Sequence, residues 1–156
     1  MSDLAMYDVV EKEKKQYIVV KIGGEHYGID ISYIDNIVRM SKITRVPKAP
    51  AYYRGVINLR GEVVPVMSLR VRMGLEPDEF NNDTRNIILK FEEHGTLGVI
   101  VDQVKEVVTL LPNEIDPYIP DTRDDKSQFI KGIGKQSNQL ISLLELNSII
   151  EEKEAI

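Results

Sequence analysis

Short runs of β-branched and apolar residues, each broken by Gly, Pro or Asn, recur along most of this chain. The first, Tyr17-Ile18-Val19-Val20-Lys21-Ile22, stops at Gly23-Gly24, and beyond it Tyr27, Ile29 and Ile31 alternate with Gly28 and Asp30. Period-two alternation is the mark of a strand with one buried face, and the glycine pair can close a hairpin. Ser32 is placed to cap a short helix over Tyr33–Val38. Val56–Leu59 and Val63–Met67 flank a turn at Arg60-Gly61, where glycine takes a positive φ without steric cost. Pro65 inside the second of these runs has no N–H to give a ladder, so it predicts an edge or a bulge. Pro112–Lys126 reads as a Pro- and Asp-rich loop, and Leu144–Glu154, with Leu146, Ile149 and Ile150 apolar, reads as a terminal helix.

The pattern occurs twice. Tyr17–Val38 aligns with Asn86–Val108, with one extra residue in the second turn. Ile18/Ile87, Val19/Ile88, Val20/Leu89 and Ile22/Phe91 match before the turn. Gly28/Gly98, Ile29/Val99, Ile31/Val101, Ile34/Val104, Ile37/Val107 and Val38/Val108 match after it. Arg54–Leu69 then superimposes on Lys131–Leu146 without a gap, Gly55 falling on Gly132. Short strands resemble one another by chance, but two blocks in the same order, each with a matched glycine, are better explained by duplication.

About five short strands per copy suit a small antiparallel, SH3-like barrel, which removes most exposed edges by curling. The expected fold is therefore mainly β, two pseudo-symmetric five-stranded barrels packed on a shared hydrophobic interface, with short helices including a C-terminal one. The corresponding organisation is a flexible tail over 1–15, a first barrel over 16–69 and a linker over 70–85. A second barrel then covers 86–146, with a C-terminal helix and tail over 147–156; 16–150 together form one domain.

Charge and composition narrow the function. With 20 Lys and Arg against 25 Asp and Glu, the net charge of −5 repels nucleic acid phosphate on average. The ten aromatics, seven Tyr and three Phe, do not form the aromatic-and-basic face that single-stranded nucleic acid needs. The absence of cysteine excludes disulfides and thiolate chemistry. No apolar run approaches the roughly 18 residues of a membrane span, and Met1–Gln16 lacks a signal-peptide core, so a cytoplasmic protein without membrane insertion is expected. His26 and His94, the two histidines, sit in or just after turns and read as solvated. Neither Gly23-Gly24 nor Gly132-Ile133-Gly134 belongs to a phosphate-binding loop. Asp121, Asp124 and Asp125 lack the spacing of a calcium loop. No catalytic residue, cofactor site or metal site is expected, which leaves surface recognition. Two other classes are weighed beside it: an SH3- or OB-like nucleic-acid binder, and a metal-dependent enzyme using the acidic loop.

The stretch from Tyr53 to Val66, Tyr-Arg-Gly-Val-Ile-Asn-Leu-Arg-Gly-Glu-Val-Val-Pro-Val, resembles the CheW family of chemotaxis coupling proteins. Tyr27-Gly28-Ile29-Asp30-Ile31 and Leu97-Gly98-Val99-Ile100-Val101-Asp102-Gln103-Val104 are similar to two further strands of that family, so the likeness runs from about Gln16 to Ile150. At 156 residues the chain resembles the stand-alone adaptor rather than the kinase or receiver-linked members that carry the same domain. The resemblance implies a scaffold of a two-component system, linking the cytoplasmic tip of methyl-accepting chemoreceptors to the CheW-like regulatory domain of the histidine kinase CheA, and recruited to membrane receptor arrays. It implies a receptor-binding surface in the groove between barrels at Ile34, Asn36, Ile37, Gly55, Asn58, Leu59, Arg60 and Ile87, with Ile34 and Ile37 on the exposed side of the short helix. Kinase-facing residues are not assigned by it. Two positions depart from the family pattern: Asn36 stands where an acidic residue is common, and Ser68 where an Asp is common.

Overall fold

The computed structural model describes residues 13–118 and 126–151. β1 (Lys15–Ile22) and β2 (Glu25–Asp30) meet at Gly23-Gly24, with φ at +61° and +85°. β3 (Ile34–Arg39), β4 (Tyr53–Leu59), β5 (Glu62–Ser68) and a one-turn helix, α1 (Leu69–Arg72), complete the first copy. The second copy gives β6 (Arg85–Phe91), β7 (Gly95–Val101), β8 (Gln103–Leu110), β9 (Ile115–Pro117), β10 (Ile130–Gln136), β11 (Gln139–Leu144) and α2 (Leu146–Ile150). The protein is mainly β, with two sheets and short helices, as the strand pattern predicts.

The helix expected over Tyr33–Val38 does not form. Ile31–Tyr33 makes a 3-10 turn, and Ile34–Arg39 continues as a strand paired antiparallel with β6. Ile34, Ile37 and Val38 lose side-chain freedom in a helix and pack well on a pleated surface, and the open edge of β6 supplies the backbone partners. The loop expected over Pro112–Lys126 also holds order, since β9 pairs antiparallel with β10. Lys15, placed in the N-terminal tail by the sequence, already belongs to β1.

Two sheets run β8-β1-β2-β11-β10-β9 and β3-β6-β7-β5-β4. Each takes strands from both sequence copies: the five-stranded sheet joins β3, β4 and β5 of the first copy to β6 and β7 of the second. The compact units follow the sheets rather than the copies. One unit contains the described residues up to Val19, His26–Ile31 and the described residues from Glu106 on, and the other contains Val20–Glu25 and Ser32–Lys105. The expected barrels over 16–69 and 86–146 are therefore corrected to interleaved units. Parallel pairing of β5 with β7 and of β2 with β11 causes the exchange, because a parallel neighbour cannot come from the same hairpin.

Pro65 lies in β5, an inner strand, but pairing with β7 begins only at Val66, so the missing N–H falls where that side is open. Inside the second unit, Ile57, Val64, Val66, Ile88 and Ile100 form an apolar cluster, with Val38, Met40, Ile43 and Leu59 packed on it. The first unit has its own, made by Tyr17, Val19, Val108, Leu110, Ile141 and Leu143.

Candidate functional site: the hairpin at Arg60

The β4–β5 hairpin turns through Arg60 and Gly61, at φ +51° and +85°. Two left-handed residues in succession make the primed two-residue turn, whose twist matches that of the flanking strands. Glycine adopts this freely at the second position; an arginine at the first is held there at some steric cost. The Asn58 Oδ1 accepts a hydrogen bond from the Gly61 N–H at 3.0 Å, which fixes the turn. Arg60 consequently stands at the tip with its side chain 69% exposed.

Facing it is a residue the sequence reading passed over. The β3–β6 register slips between Ile34 and Asn36, leaving Asp35 as the extra residue of a bulge. A bulge re-aims the side chain at its centre. Here it brings the Asp35 carboxylate to 3.3 Å from the Arg60 guanidinium and 3.8 Å from the Lys90 ammonium. Asp35, Leu59, Arg60, Glu62, Ile88, Lys90 and Thr96 line a shallow cleft of about 320 Å³. Leu59, half-buried, gives the cleft apolar surface, Ile88 is fully buried, and the other lining residues are charged apart from Thr96.

The other sequence-predicted residues divide by exposure. All eight lie in the second unit. Ile34, Asn36 and Ile37 are half-buried on β3, a strand rather than the expected helix, and the Asn36 Oδ1 accepts from the Ile37 N–H at 2.8 Å. Ile87 is fully buried in the middle of the sheet, between β3 and β7, and offers no surface. Gly55 is buried too, and its reason is local. At φ +142° a Cβ would run into the Thr44 carbonyl, which accepts from the Val56 N–H at 2.8 Å. Gly55 thus lets the segment through Thr44 lie against β4.

A second polar cluster in the same unit is structural. Arg70 forks onto Asp102, Nε to Oδ1 at 2.9 Å and Nη2 to Oδ2 at 2.6 Å, and the Gly23 N–H donates to Oδ2 at 2.9 Å. Burial pushes the Asp102 carboxyl up, but these hydrogen bonds and the nearby cations outweigh it and hold the group below the usual carboxylate range. Ser68 caps α1, its Oγ accepting from the Val71 N–H at 3.2 Å while donating to Asp78. Burial holds the Asp78 carboxyl above its ordinary value despite that bond.

His94 is exposed and lies edge-on to Phe91, and His26 is half-buried at the start of β2. Among the described residues no three His, Cys, Asp or Glu converge as a metal ion would require. Asp121, Asp124 and Asp125 lie outside the described residues. No helix among the described residues is long and apolar enough to cross a membrane.

The CheW-like domain model matches residues 16–154. The chain belongs to the CheW family. It is 37% identical to the chemotaxis protein CheW of Helicobacter pylori over 141 residues, covering 90% of this chain and 84% of that one. Identity to the Bacillus subtilis chemotaxis protein CheW is 34% over 142 residues, covering 91% and 90%. Among solved structures, the scaffolding protein TtCheW from Thermoanaerobacter tengcongensis superimposes with a TM-score of 0.81 at 34% identity, over 88% of this chain and 93% of that chain. Within the CheW family, the two departures at Asn36 and Ser68 acquire a physical reading. The carboxylate stands one position earlier, at Asp35 on the bulge, and Asp78 brings a second carboxylate beside the Ser68 hydroxyl. No periodicity in the sequence marks a bulge of one residue, which is why Asp35 and Lys90 were missed.

Proposed function

We propose that this protein is a cytoplasmic chemotaxis adaptor that couples methyl-accepting chemoreceptors to the histidine kinase CheA, at membrane receptor arrays and without catalysis of its own. Membership of the CheW family supports the signalling role. The receptor surface is assigned to Ile34, Asn36, Ile37, Asn58, Leu59 and Arg60, with Gly55 and the buried Ile87 supporting it from beneath. One observation carries this assignment: a fixed, strained turn presents an exposed arginine beside the half-buried Leu59. An amphipathic receptor helix can lay its apolar face on Leu59 while Arg60 forks onto a carboxylate or carbonyl.

The test is reconstitution. The wild-type protein should raise CheA autophosphorylation only when a receptor hairpin fragment is present. Arg60→Ala should weaken ternary assembly about tenfold, the scale of one lost charge-assisted hydrogen bond, with an unchanged melting curve. Normal coupling by folded Arg60→Ala protein would remove that residue's role, and no stimulation by the wild type would remove the adaptor reading.

A further inference from the structure

We infer that Lys90 is a specificity-determining residue of the Arg60 surface, selecting a partner helix that carries a carboxylate next to its apolar anchor. The inference rests on the adaptor reading and names the partner chemistry that reading leaves open.

Three charges meet at the bulge, and they do not balance. Asp35 is shared by two cations, Arg60 on Oδ2 at 3.3 Å and Lys90 on Oδ1 at 3.8 Å. Both cations keep 69% of their side chains exposed, whereas Asp35 keeps 31%. The carboxylate is thus the inner member and the cations form the outward rim. One carboxylate can compensate one cation, so this trio carries a net positive charge toward solvent. Glu62, also on the cleft, is the opposing charge: it starts β5 opposite Leu59 and is exposed. It lies on the hairpin beside Arg60, while Lys90 stands on β6 opposite Thr96, bordering the cleft from another strand.

The positions of these groups set what fits. Leu59, half-buried, offers apolar surface to a partner side chain, and the two cations border the same cleft, Arg60 from the hairpin turn and Lys90 from β6. A helix presenting an apolar residue with Asp or Glu three or four positions away places its carboxylate at that rim. A helix with Lys or Arg there meets two like charges. Exposed pairs contribute modest affinity, but complementarity of this kind governs which partner is admitted.

Titration of the protein with a soluble receptor hairpin fragment, at low and high salt, tests this. Lys90→Gln should weaken binding at low salt, and Lys90→Glu should weaken it about fivefold. Glu62→Gln should tighten it, and all differences should shrink at high salt. Replacing the fragment's acidic residues by amides should erase the Lys90→Glu effect. Lys90→Glu binding as the wild type does, while Arg60→Ala binds weakly, would overturn the role of Lys90 and leave the adaptor site standing. A loss that persists at high salt, or with the amide fragment, would also overturn it, as would a lowered melting temperature of Lys90→Gln accounting for the loss. Absence of binding by the wild type would instead sink the underlying adaptor reading.

Discussion

The five-stranded and six-stranded sheets run corresponding strands in the same order, yet they fill their interiors with different residues. With β9 left aside and the other five strands numbered within each copy, both follow the order third, first, second, fifth, fourth; beyond the last position lies β9 in one sheet and the single Thr44–Val56 bridge in the other. Where Tyr17 is buried in the first unit, the matching Asn86 is buried in the second. Where Ile57 joins the second unit's core, Gly134 stands in the first, with Leu110 in the space beside it. A large residue at one position is compensated by a small one at another, so each unit reaches close packing separately. Gly28 and Gly98 are retained in both because a Cβ would meet Tyr17, Ile141 and Leu143 in one and Asn86 in the other. Duplication preserved the strand order, and the packing diverged around it.

The surfaces diverged as well. The two hairpin tips keep the same backbone, Arg60-Gly61 matching Ser137-Asn138, all four at positive φ. Behind each tip Val63 and Leu140, at matching positions, are 70% and 65% exposed. Only the first hairpin sets a guanidinium at its tip, with a bulged carboxylate opposite. The two tips thus differ in the side chains carried on a shared turn.

The interleaving gives the largest effect by which the comparison can be broken. Fragments covering 13–85 and 86–151 should each fail to fold alone, because each lacks strands of both sheets, and mixing them should restore dispersed amide signals in NMR spectra. A folded isolated fragment would show that the copies are self-sufficient. Next come the matched glycines. Gly55→Ala should cost about 3 kcal/mol, since it combines a left-handed φ with a collision against the Thr44 backbone. Gly132→Ala, at the equivalent position, meets its nearest atoms at 3.0 and 3.1 Å without a left-handed φ, and should cost about 1 kcal/mol. Equal losses in urea denaturation would mean the two positions are interchangeable after all.

A coupled pair comes third. Gly98→Ala places a Cβ 2.5 Å from the Asn86 Oδ1 and should destabilise by about 1–2 kcal/mol. Asn86→Ala in the same chain should return part of that loss, measured as non-additivity in a double-mutant cycle. The smallest effects are those of pH, and they should fall at opposite ends for the two units. Asp102, held below its ordinary value, contributes stability that is present above the unfolded carboxylate range and lost as pH falls through the folded value. Tyr17 is raised by burial and then by Asp30, so its contribution is present below about pH 10 and lost as pH rises through the folded value. Asp102→Asn should flatten the acid limb of a melting-temperature profile, and Tyr17→Phe the alkaline limb.

The amino-acid sequence by itself determined most of the strands, the duplication and the turn at Arg60-Gly61, because these depend on neighbours a few positions apart. Alternation marks a face, glycine marks a positive φ, and a repeated order marks a copy. It also carried the family, through the stretch from Tyr53 to Val66. Only the tertiary structure decided which strands share a sheet, since parallel partners such as β5 and β7 are distant along the chain. It turned the helix expected over Tyr33–Val38 into an edge strand over Ile34–Arg39, and the bulge there set Asp35 between Arg60 and Lys90. A bulge shifts a side chain by one position without altering composition or period, so the charge cluster it creates exists only in the folded protein.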